Sequence, residues 1–261
     1  MKNADRLPPE TIPVLREHVG ALERILGAKL VGVYVHGSAA MGGFDPARSD
    51  LDYLAIVESP LDARERKALA DAFLQLHGTS GFGKGVEMSI VEARFAGAQF
   101  RYPTPYEFHM GSLEQIRHHG RPHEREHVDP DLASHFTVTL ARGVCVHGAE
   151  TSDVFAPVDR RYFWASNYAD VKVAPESIGR DPVYTILNLC RTFCGLRDGA
   201  VYSKLEGGVK FLETGGPFAG LVRTALDDYR RGSNGSYDAA EAARFAAAML
   251  ARIDALMRAA S

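Results

Sequence analysis

Long apolar segments are missing from this sequence. No hydrophobic run approaches the roughly 20 residues that a membrane-spanning helix needs, and the polar residues 1–6 are unlike the start of a signal peptide. We therefore expect a cytoplasmic protein that has no membrane partner.

Cysteine is also scarce. Cys145, Cys190 and Cys194 are odd in number and show no Cys-x-x-Cys spacing, so neither a disulfide framework nor a zinc site is expected. Cys190 and Cys194 lie four residues apart in an apolar helical pattern. We expect reduced thiols packed on one face of a helix.

The sequence has no excess of positive charge. It contains 30 lysines and arginines against 33 aspartates and glutamates, which gives a net charge of -3, and its basic residues are scattered. A nucleic-acid partner is therefore not expected, because it would need a basic stripe along its phosphates. A small or cationic ligand fits this balance better.

Apolar residues are plentiful enough for a core. Hydrophobic residues make up 46% of the sequence. The length of 261 residues favours two domains. In the first half, helical spacing over residues 12–26 and 61–77 alternates with strand-like runs at residues 30–35, 51–57 and 86–91. This pattern predicts a small mixed sheet with helices.

The pattern changes near residue 158. Helical periodicity then recurs in four segments without further strand-like runs, at residues 183–196, 201–212, 218–229 and 239–260. The predicted fold class is therefore α+β, with a mixed-sheet domain over residues 1–157 and an α-helical bundle over residues 158–261.

The first half of the sequence contains acidic residues that could bind a metal ion. Asp50 and Asp52 are two residues apart at the start of a predicted strand, so both carboxylates project from one face and can hold one hard divalent cation. Such a pair also occurs by chance at exposed strand ends. Glu87 strengthens the interpretation, because it interrupts an apolar alternation on the third strand and can complete a cluster of three carboxylates.

Small residues accompany these carboxylates. Gly37 and Ser38 follow the first predicted strand, where glycine permits a sharp turn and the serine hydroxyl and nearby amides can bind phosphate oxygens. Ser49 supplies a further hydroxyl just before the first aspartate. The set predicts a site for a phosphorylated ligand together with a cation.

The combination resembles the DNA-polymerase-beta-like nucleotidyltransferase superfamily, whose pattern is Gly-Ser, then Asp-x-Asp, then a third acidic residue on a later strand. The resemblance extends over most of the chain to the aminoglycoside adenylyltransferases that modify spectinomycin and streptomycin. The segments that carry it are residues 36–43, 49–52, 86–91 and 101–103, with Asp181 and residues 187–191 in the helical half.

This resemblance implies a nucleotidyltransferase domain followed by a helical domain, with Mg²⁺ as cofactor and ATP as co-substrate. It implies that Asp50, Asp52 and Glu87 form the metal and catalytic site, with Glu87 as the general base toward the acceptor hydroxyl. It further implies nucleotide binding by Gly37, Ser38, Ser49, Arg191, Lys204 and Tyr229, and acceptor binding by Asp181 and Glu87.

The implied acceptor is a small aminoglycoside or aminocyclitol, with spectinomycin favoured over streptomycin. Relatives that accept streptomycin resemble one another in a tryptophan after the segment matching residues 108–111, and in an aspartate shortly before the one matching Asp181. This chain has Ser112 and Ser177 at about those places. Serine offers neither an aromatic platform nor a negative charge.

Other interpretations of the same segments are weaker. Residues 78–85 nearly match a P-loop but lack its closing serine or threonine, and Ser38 lacks the flanking glycines of a hydrolase nucleophile. We expect the histidines between residues 118 and 127 to lie on an exposed, charged segment. Two other functions remain open: modification of a protein or RNA by the same chemistry, and nucleotide binding without turnover in a regulatory module.

Overall fold

The computed structural model describes residues 1–77, 80–111 and 127–260. The chain divides into two compact units, Met1–Val158 and Asp159–Ser261. Every helix within the described ranges is too short or too polar to span a lipid bilayer.

The first unit is built on a mixed sheet. Its strands in the described ranges are β1 (Leu30–Val35), β2 (Leu51–Val57), β3 (Val86–Glu92), β4 (Thr104–Tyr106), β5 (Phe108–Met110), β6 (His127–Asp129) and β7 (Val144–Gly148). The main sheet has the order β5-β3-β2-β1-β7, and β4 pairs with β6. Strands β2 and β3 run parallel, whereas the other neighbours described in the main sheet are antiparallel.

Helices cover both faces of this sheet. They are α1 (Thr11–Leu26), α2 (Gly37–Ala40), α3 (Ala63–His77), α4 (Ala93–Ala96), α5 (Leu132–Arg142) and α6 (Thr151–Val154), with 3-10 turns at Ala4–Arg6 and Gly27–Lys29. Leu22 of α1 and Phe73 of α3 belong to the core on one face, and Phe136 of α5 belongs to the core on the other. Because both faces are covered, β2 is buried along nearly its whole length, and the polar, half-buried Asp52 is the exception.

The second unit is a helical bundle. Its helices in the described ranges are α7 (Arg160–Val171), α8 (Ala174–Ser177), α9 (Pro182–Asp198), α10 (Lys204–Leu212), α11 (Ala219–Arg231) and α12 (Ala239–Ala260). Helix α9 lies at the centre, since α10, α11 and α12 all pack against it. The predicted α+β class, a mixed sheet followed by a helical bundle, is confirmed.

One predicted helix boundary is wrong for a local reason. The helix predicted from residue 201 begins at Lys204, because Ser203 and Glu206 form a capping box. The Ser203 hydroxyl accepts a hydrogen bond from the Glu206 amide at 3.1 Å, and the Glu206 carboxylate accepts one from the Ser203 amide at 2.8 Å. These two bonds satisfy amides that have no partner inside the helix, so the helix starts at this point.

The cysteines occupy the interior. All three are free and buried, and Cys190 and Cys194 lie together on α9, as their spacing predicts. Burial raises the pKa of Cys194 to about 11. The reactive thiolate form is therefore scarce near neutral pH.

Asp228, near the end of α11, holds the connection between α11 and α12. Its carboxylate accepts hydrogen bonds from the Ser233 hydroxyl at 2.6 Å, the Gly235 amide at 2.9 Å and the Tyr237 hydroxyl at 2.6 Å. The bond from Ser233, followed by that from Tyr237, lowers the pKa of Asp228. The charged form of this carboxylate therefore organises the whole connection.

Asp228→Asn is expected to lower the free energy of unfolding by about 1–3 kcal/mol near neutral pH, because hydrogen bonds to a charged acceptor are weakened. The folded pKa of Asp228 lies below its unfolded value of about 3.9, so its contribution is complete above that value and is lost as the pH falls through the folded pKa. Urea unfolding of both proteins at neutral and acidic pH measures the difference. Asp227→Asn, which removes an exposed ion pair with Arg230, should cost about 0.5 kcal/mol or less. Equal losses of unfolding free energy in the two variants would contradict the role of Asp228 in holding the connection.

Candidate active site

Three carboxylates meet at one end of the parallel strand pair. Asp50 directly precedes β2, Asp52 lies within it, and Glu87 lies opposite Asp52 on β3. One carboxylate oxygen from each residue lies within 4.8 Å of the others, and all three residues are half-buried. A set of oxygen donors this close suits a hard divalent cation such as Mg²⁺.

Gly37 brings the turn after β1 directly against this cluster. Its φ of +61° lies in the left-handed region, and a Cβ atom at this position would lie 2.0 Å from Oδ2 of Asp52. The preceding His36 amide donates to the Asp52 carbonyl at 3.0 Å. Backbone conformation and space therefore both require glycine here.

Ser38 presents a buried hydroxyl to the same turn. Its Oγ is buried and has no hydrogen-bond partner among the described residues. A buried hydroxyl without a partner costs about 1–3 kcal/mol, and functional sites are one place where such a cost persists. The hydroxyl is thus available to donate to a ligand beside the carboxylates.

Ser49 has a different local role. Its hydroxyl accepts a hydrogen bond from the Asp45 amide at 3.1 Å, and its amide donates to the Asp45 carbonyl at 2.8 Å. Arg48 also bonds the Asp45 carboxylate at 2.9 Å and is the main cause that lowers its pKa. The Ser49 hydroxyl therefore closes the loop that leads into Asp50.

The glycine-rich segment before β3 supports that loop. The Gly83 amide donates to the Pro46 carbonyl at 2.8 Å, and a Cβ atom on Gly83 would lie 1.9 Å from the Ala47 carbonyl oxygen. The segment continues into a strand instead of a helix. This arrangement differs from a P-loop, in which the glycines precede a helix and surround phosphate; residues 78 and 79 lie outside the described ranges.

In the second unit, two predicted nucleotide-binding cations lie on neighbouring helices. Arg191 lies on α9, and Lys204 is the first residue of α10. The Lys204 ammonium lies 4.6 Å from the ring centroid of Tyr184, a cation–π contact. Tyr229, the third predicted residue, is half-buried on α11 and packs against the core of the bundle.

Asp181 and Ser177 have local partners next to α9. Asp181 is exposed and caps α9, since its Oδ1 accepts a hydrogen bond from the Tyr184 amide at 3.1 Å. The Ser177 hydroxyl lies 3.2 Å from the Thr185 hydroxyl. Ser112, the other residue used to predict the acceptor, lies outside the described ranges.

Histidines near the carboxylates were missed by the sequence reasoning. His109 of β5 bonds the Ser89 hydroxyl at 2.9 Å, and His36 lies with its ring centroid 4.8 Å from that of His135. Burial lowers the pKa of His36 well below 6.5 and also lowers that of His109. The sequence offered one indication of polar contacts here, because Ser89 lies on the same face of β3 as Glu87.

The predicted histidine segment falls largely outside the description. His118, His119 and His123 lie within residues 112–126, which the structure does not describe. His127 lies in β6, half-buried and stacked on Tyr106 with ring centroids 5.5 Å apart. For this one histidine, the expected exposed position is wrong.

The first unit places a Gly-Ser turn, paired aspartates and a third carboxylate together on a mixed sheet. Residues 153–252 match the family model described as aminoglycoside adenylyltransferase, C-terminal domain. The matched segment covers less than half of the 261 residues and lies almost wholly in the second unit.

Two curated relatives illustrate the similarity. Aminoglycoside (3'') (9) adenylyltransferase from Klebsiella pneumoniae is 32% identical over 147 residues, which is 55% of each chain. Spectinomycin 9-adenylyltransferase from Staphylococcus aureus is 25% identical over 202 residues, or 76% of this chain and 75% of the relative. The chain thus matches about half the length of the first relative and three quarters of the second.

A solved structure shares the fold. Spectinomycin adenyltransferase AAD(9) from Enterococcus faecialis, determined with ATP and spectinomycin, aligns with a TM-score of 0.76 over 93% of this chain and 99% of that chain. The sequence identity is 18%. The fold is therefore shared at low sequence identity.

Proposed function

We propose that this protein is a magnesium-dependent adenylyltransferase that moves AMP from ATP to a hydroxyl group of an aminoglycoside or aminocyclitol. The observation that carries the proposal is the cluster of Asp50, Asp52 and Glu87, with oxygen atoms within 4.8 Å of one another against the Gly37 turn. The names of the relatives support the reaction and the acceptor class.

The residues divide the chemistry among themselves. Asp50 and Asp52, with Glu87 beside them, would hold Mg²⁺, which when bound neutralises triphosphate charge and orients the α-phosphate. Glu87 accepts the proton of the acceptor hydroxyl as that oxygen forms its bond to the α-phosphorus and pyrophosphate leaves.

Further residues are assigned to the triphosphate on the resemblance to nucleotidyltransferases. Ser38 supplies the buried hydroxyl, and Arg191 and Lys204 supply the positive charges that stabilise the departing pyrophosphate. Ser49 contributes by shaping the loop before Asp50. Tyr229 is assigned to the nucleotide on the resemblance described above.

The acceptor is proposed to be spectinomycin in preference to streptomycin. Asp181 has an exposed carboxylate whose charge can attract an acceptor ammonium while one oxygen caps α9. Ser177 is neutral, and its hydroxyl lies 3.2 Å from that of Thr185, so it offers no anion to a guanidinium group. Streptomycin carries guanidinium groups and would lose this anchor.

Pyrophosphate release with Mg²⁺, ATP and each drug tests the proposal. We expect kcat/KM for spectinomycin to exceed that for streptomycin by about 10–100-fold, the worth of one hydrogen bond between charged groups. Ser177→Asp should raise streptomycin turnover, whereas Ser236→Asp, an exposed serine in the same unit, should not. Streptomycin turnover equal to that of spectinomycin in the unmodified protein would sink the acceptor assignment. If neither drug supported pyrophosphate release, a protein or an RNA would be the next candidate acceptor.

A further inference from the structure

The side chain of Arg191 is held in place before any ligand arrives. Asn188 lies one turn earlier on α9 and is 2% exposed. Its Oδ1 accepts a hydrogen bond from Nε of Arg191 at 2.5 Å. This bond fixes the guanidinium plane, which otherwise rotates about several side-chain bonds.

The amide of Asn188 is itself oriented by a carboxylate. Its Nδ2 lies 3.5 Å from Oδ2 of Asp170, on the neighbouring helix α7. The same oxygen lies 3.7 Å from Nη2 of Arg191. With Oδ1 committed to the arginine and Nδ2 directed at an anion, the amide has only one favourable orientation.

The backbone beneath Arg191 is fixed as well. Gly207 of α10 approaches so closely that a Cβ atom there would lie 2.3 Å from Cα of Arg191. Lys204 lies three residues before Gly207, on the same side of α10. The close approach of the two helices therefore brings the base of Arg191 and the start of the Lys204 side chain near each other.

The chemistry of this arrangement suits an anion-binding arginine. The Asn188 amide oxygen orients Nε and carries no net charge. A carboxylate in the same place would neutralise the positive charge of the guanidinium. Asp170 forms an ion pair with Nη2 at 3.7 Å, which is longer than an ordinary hydrogen bond, and Nη1 has no partner among the described residues. The guanidinium thus keeps N–H donors that can bind a phosphate.

We propose that Asn188 and Asp170 are positioning residues that hold the Arg191 guanidinium ready for the triphosphate. The inference rests on the proposed function, in which Arg191 binds that group. In this proposal both residues act through Arg191. They act by reducing the freedom that the arginine loses when the nucleotide binds.

Calorimetry with α,β-methylene-ATP and Mg²⁺ on the full chain tests the inference. Asn188→Ala should weaken nucleotide binding about tenfold, and Asp170→Asn by a smaller factor, with acceptor binding unchanged in both. Asn167→Ala, which removes a side-chain bond to the Phe163 carbonyl on α7, and Asp198→Asn, which removes an ion pair with Arg197, are the matched controls. Neither control should change nucleotide affinity.

A double-mutant cycle separates positioning from general damage. Once Arg191→Ala has removed the guanidinium, adding Asn188→Ala should change affinity by less than about twofold. Steady-state kinetics should place the Asn188→Ala defect in KM for ATP more than in kcat. Additive effects in the cycle would overturn the inference.

Nuclear magnetic resonance of the ligand-free protein provides a readout that does not depend on activity. The Nε–H signal of Arg191 should exchange slowly with water in the unmodified protein and rapidly in Asn188→Ala. Fast exchange in both proteins would also overturn the inference. If the unmodified protein held Arg191 rigidly but bound no nucleotide, the proposed function would be wrong and the positioning contacts would still be correct. If Asn188→Ala bound the nucleotide with normal affinity, only the positioning role would be wrong.

Discussion

Asp52→Asn and Asp50→Asn should each reduce the rate of AMP transfer by about a thousandfold or more, which corresponds to several kcal/mol of lost charge stabilisation. Each change removes one of three carboxylates whose oxygens lie within 4.8 Å of one another. An amide of the same shape keeps one oxygen but loses the negative charge that binds a divalent cation. Pyrophosphate release at saturating Mg²⁺ and ATP measures the loss.

The stability of these variants distinguishes a lost site from a damaged fold. Three carboxylates this close repel one another when no cation is present, so removing one charge should leave the free energy of unfolding unchanged or raise it. Asp71→Asn, on the exposed face of α3, is the matched control and should retain full activity. Near-normal turnover in either site variant would exclude the metal assignment, and a large loss of stability would point to a structural role.

Glu87→Gln should lower kcat by about a hundredfold to ten-thousandfold, the usual contribution of a positioned general base. The amide cannot take the proton of the acceptor hydroxyl. We expect the affinity for ATP to change much less than kcat, because the glutamine oxygen still lies beside Asp52 across the parallel strand pair. Single-turnover kinetics with spectinomycin measure the chemical step directly.

Glu92→Gln is the control for this second change. Glu92 lies at the far end of the same strand, where it is bonded to Arg94 at 2.7 Å. Its replacement should leave kcat within about twofold, since ordinary substitutions away from the chemistry act mainly on stability. If both glutamate variants lost the same activity, the defect would belong to the strand, and Glu87 would lose its role as base.

The sequence predicted those parts of the fold that depend on local periodicity. The runs at residues 51–57 and 86–91 are β-branched and apolar enough to specify strands without knowledge of their neighbours. Their parallel pairing, which places Asp52 opposite Glu87, depends on contacts between residues far apart in the chain. A pattern of period two gives the face of a strand but not its partner.

The candidate site divides in the same way. The residue types at Asp50, Asp52 and Glu87 suggested one acidic cluster, and the structure brings them together. The contact of Asn188 with Asp170 could not be predicted, because it joins two helices whose relative packing no local pattern specifies. Ser49 was predicted to bind the nucleotide because it is close to the Asp50 motif in sequence. In the structure its hydroxyl instead accepts a hydrogen bond within its own loop.

The parallel pairing of β2 and β3 also determines when the site forms during folding. Two parallel neighbours cannot be joined by a hairpin, and here α3 lies in the connection between them. The carboxylates therefore come together only after a long loop has closed, a slow event compared with the formation of α1 or α3 alone. Nucleotide binding during refolding would report completion of the central sheet, well after most of the helical signal has recovered.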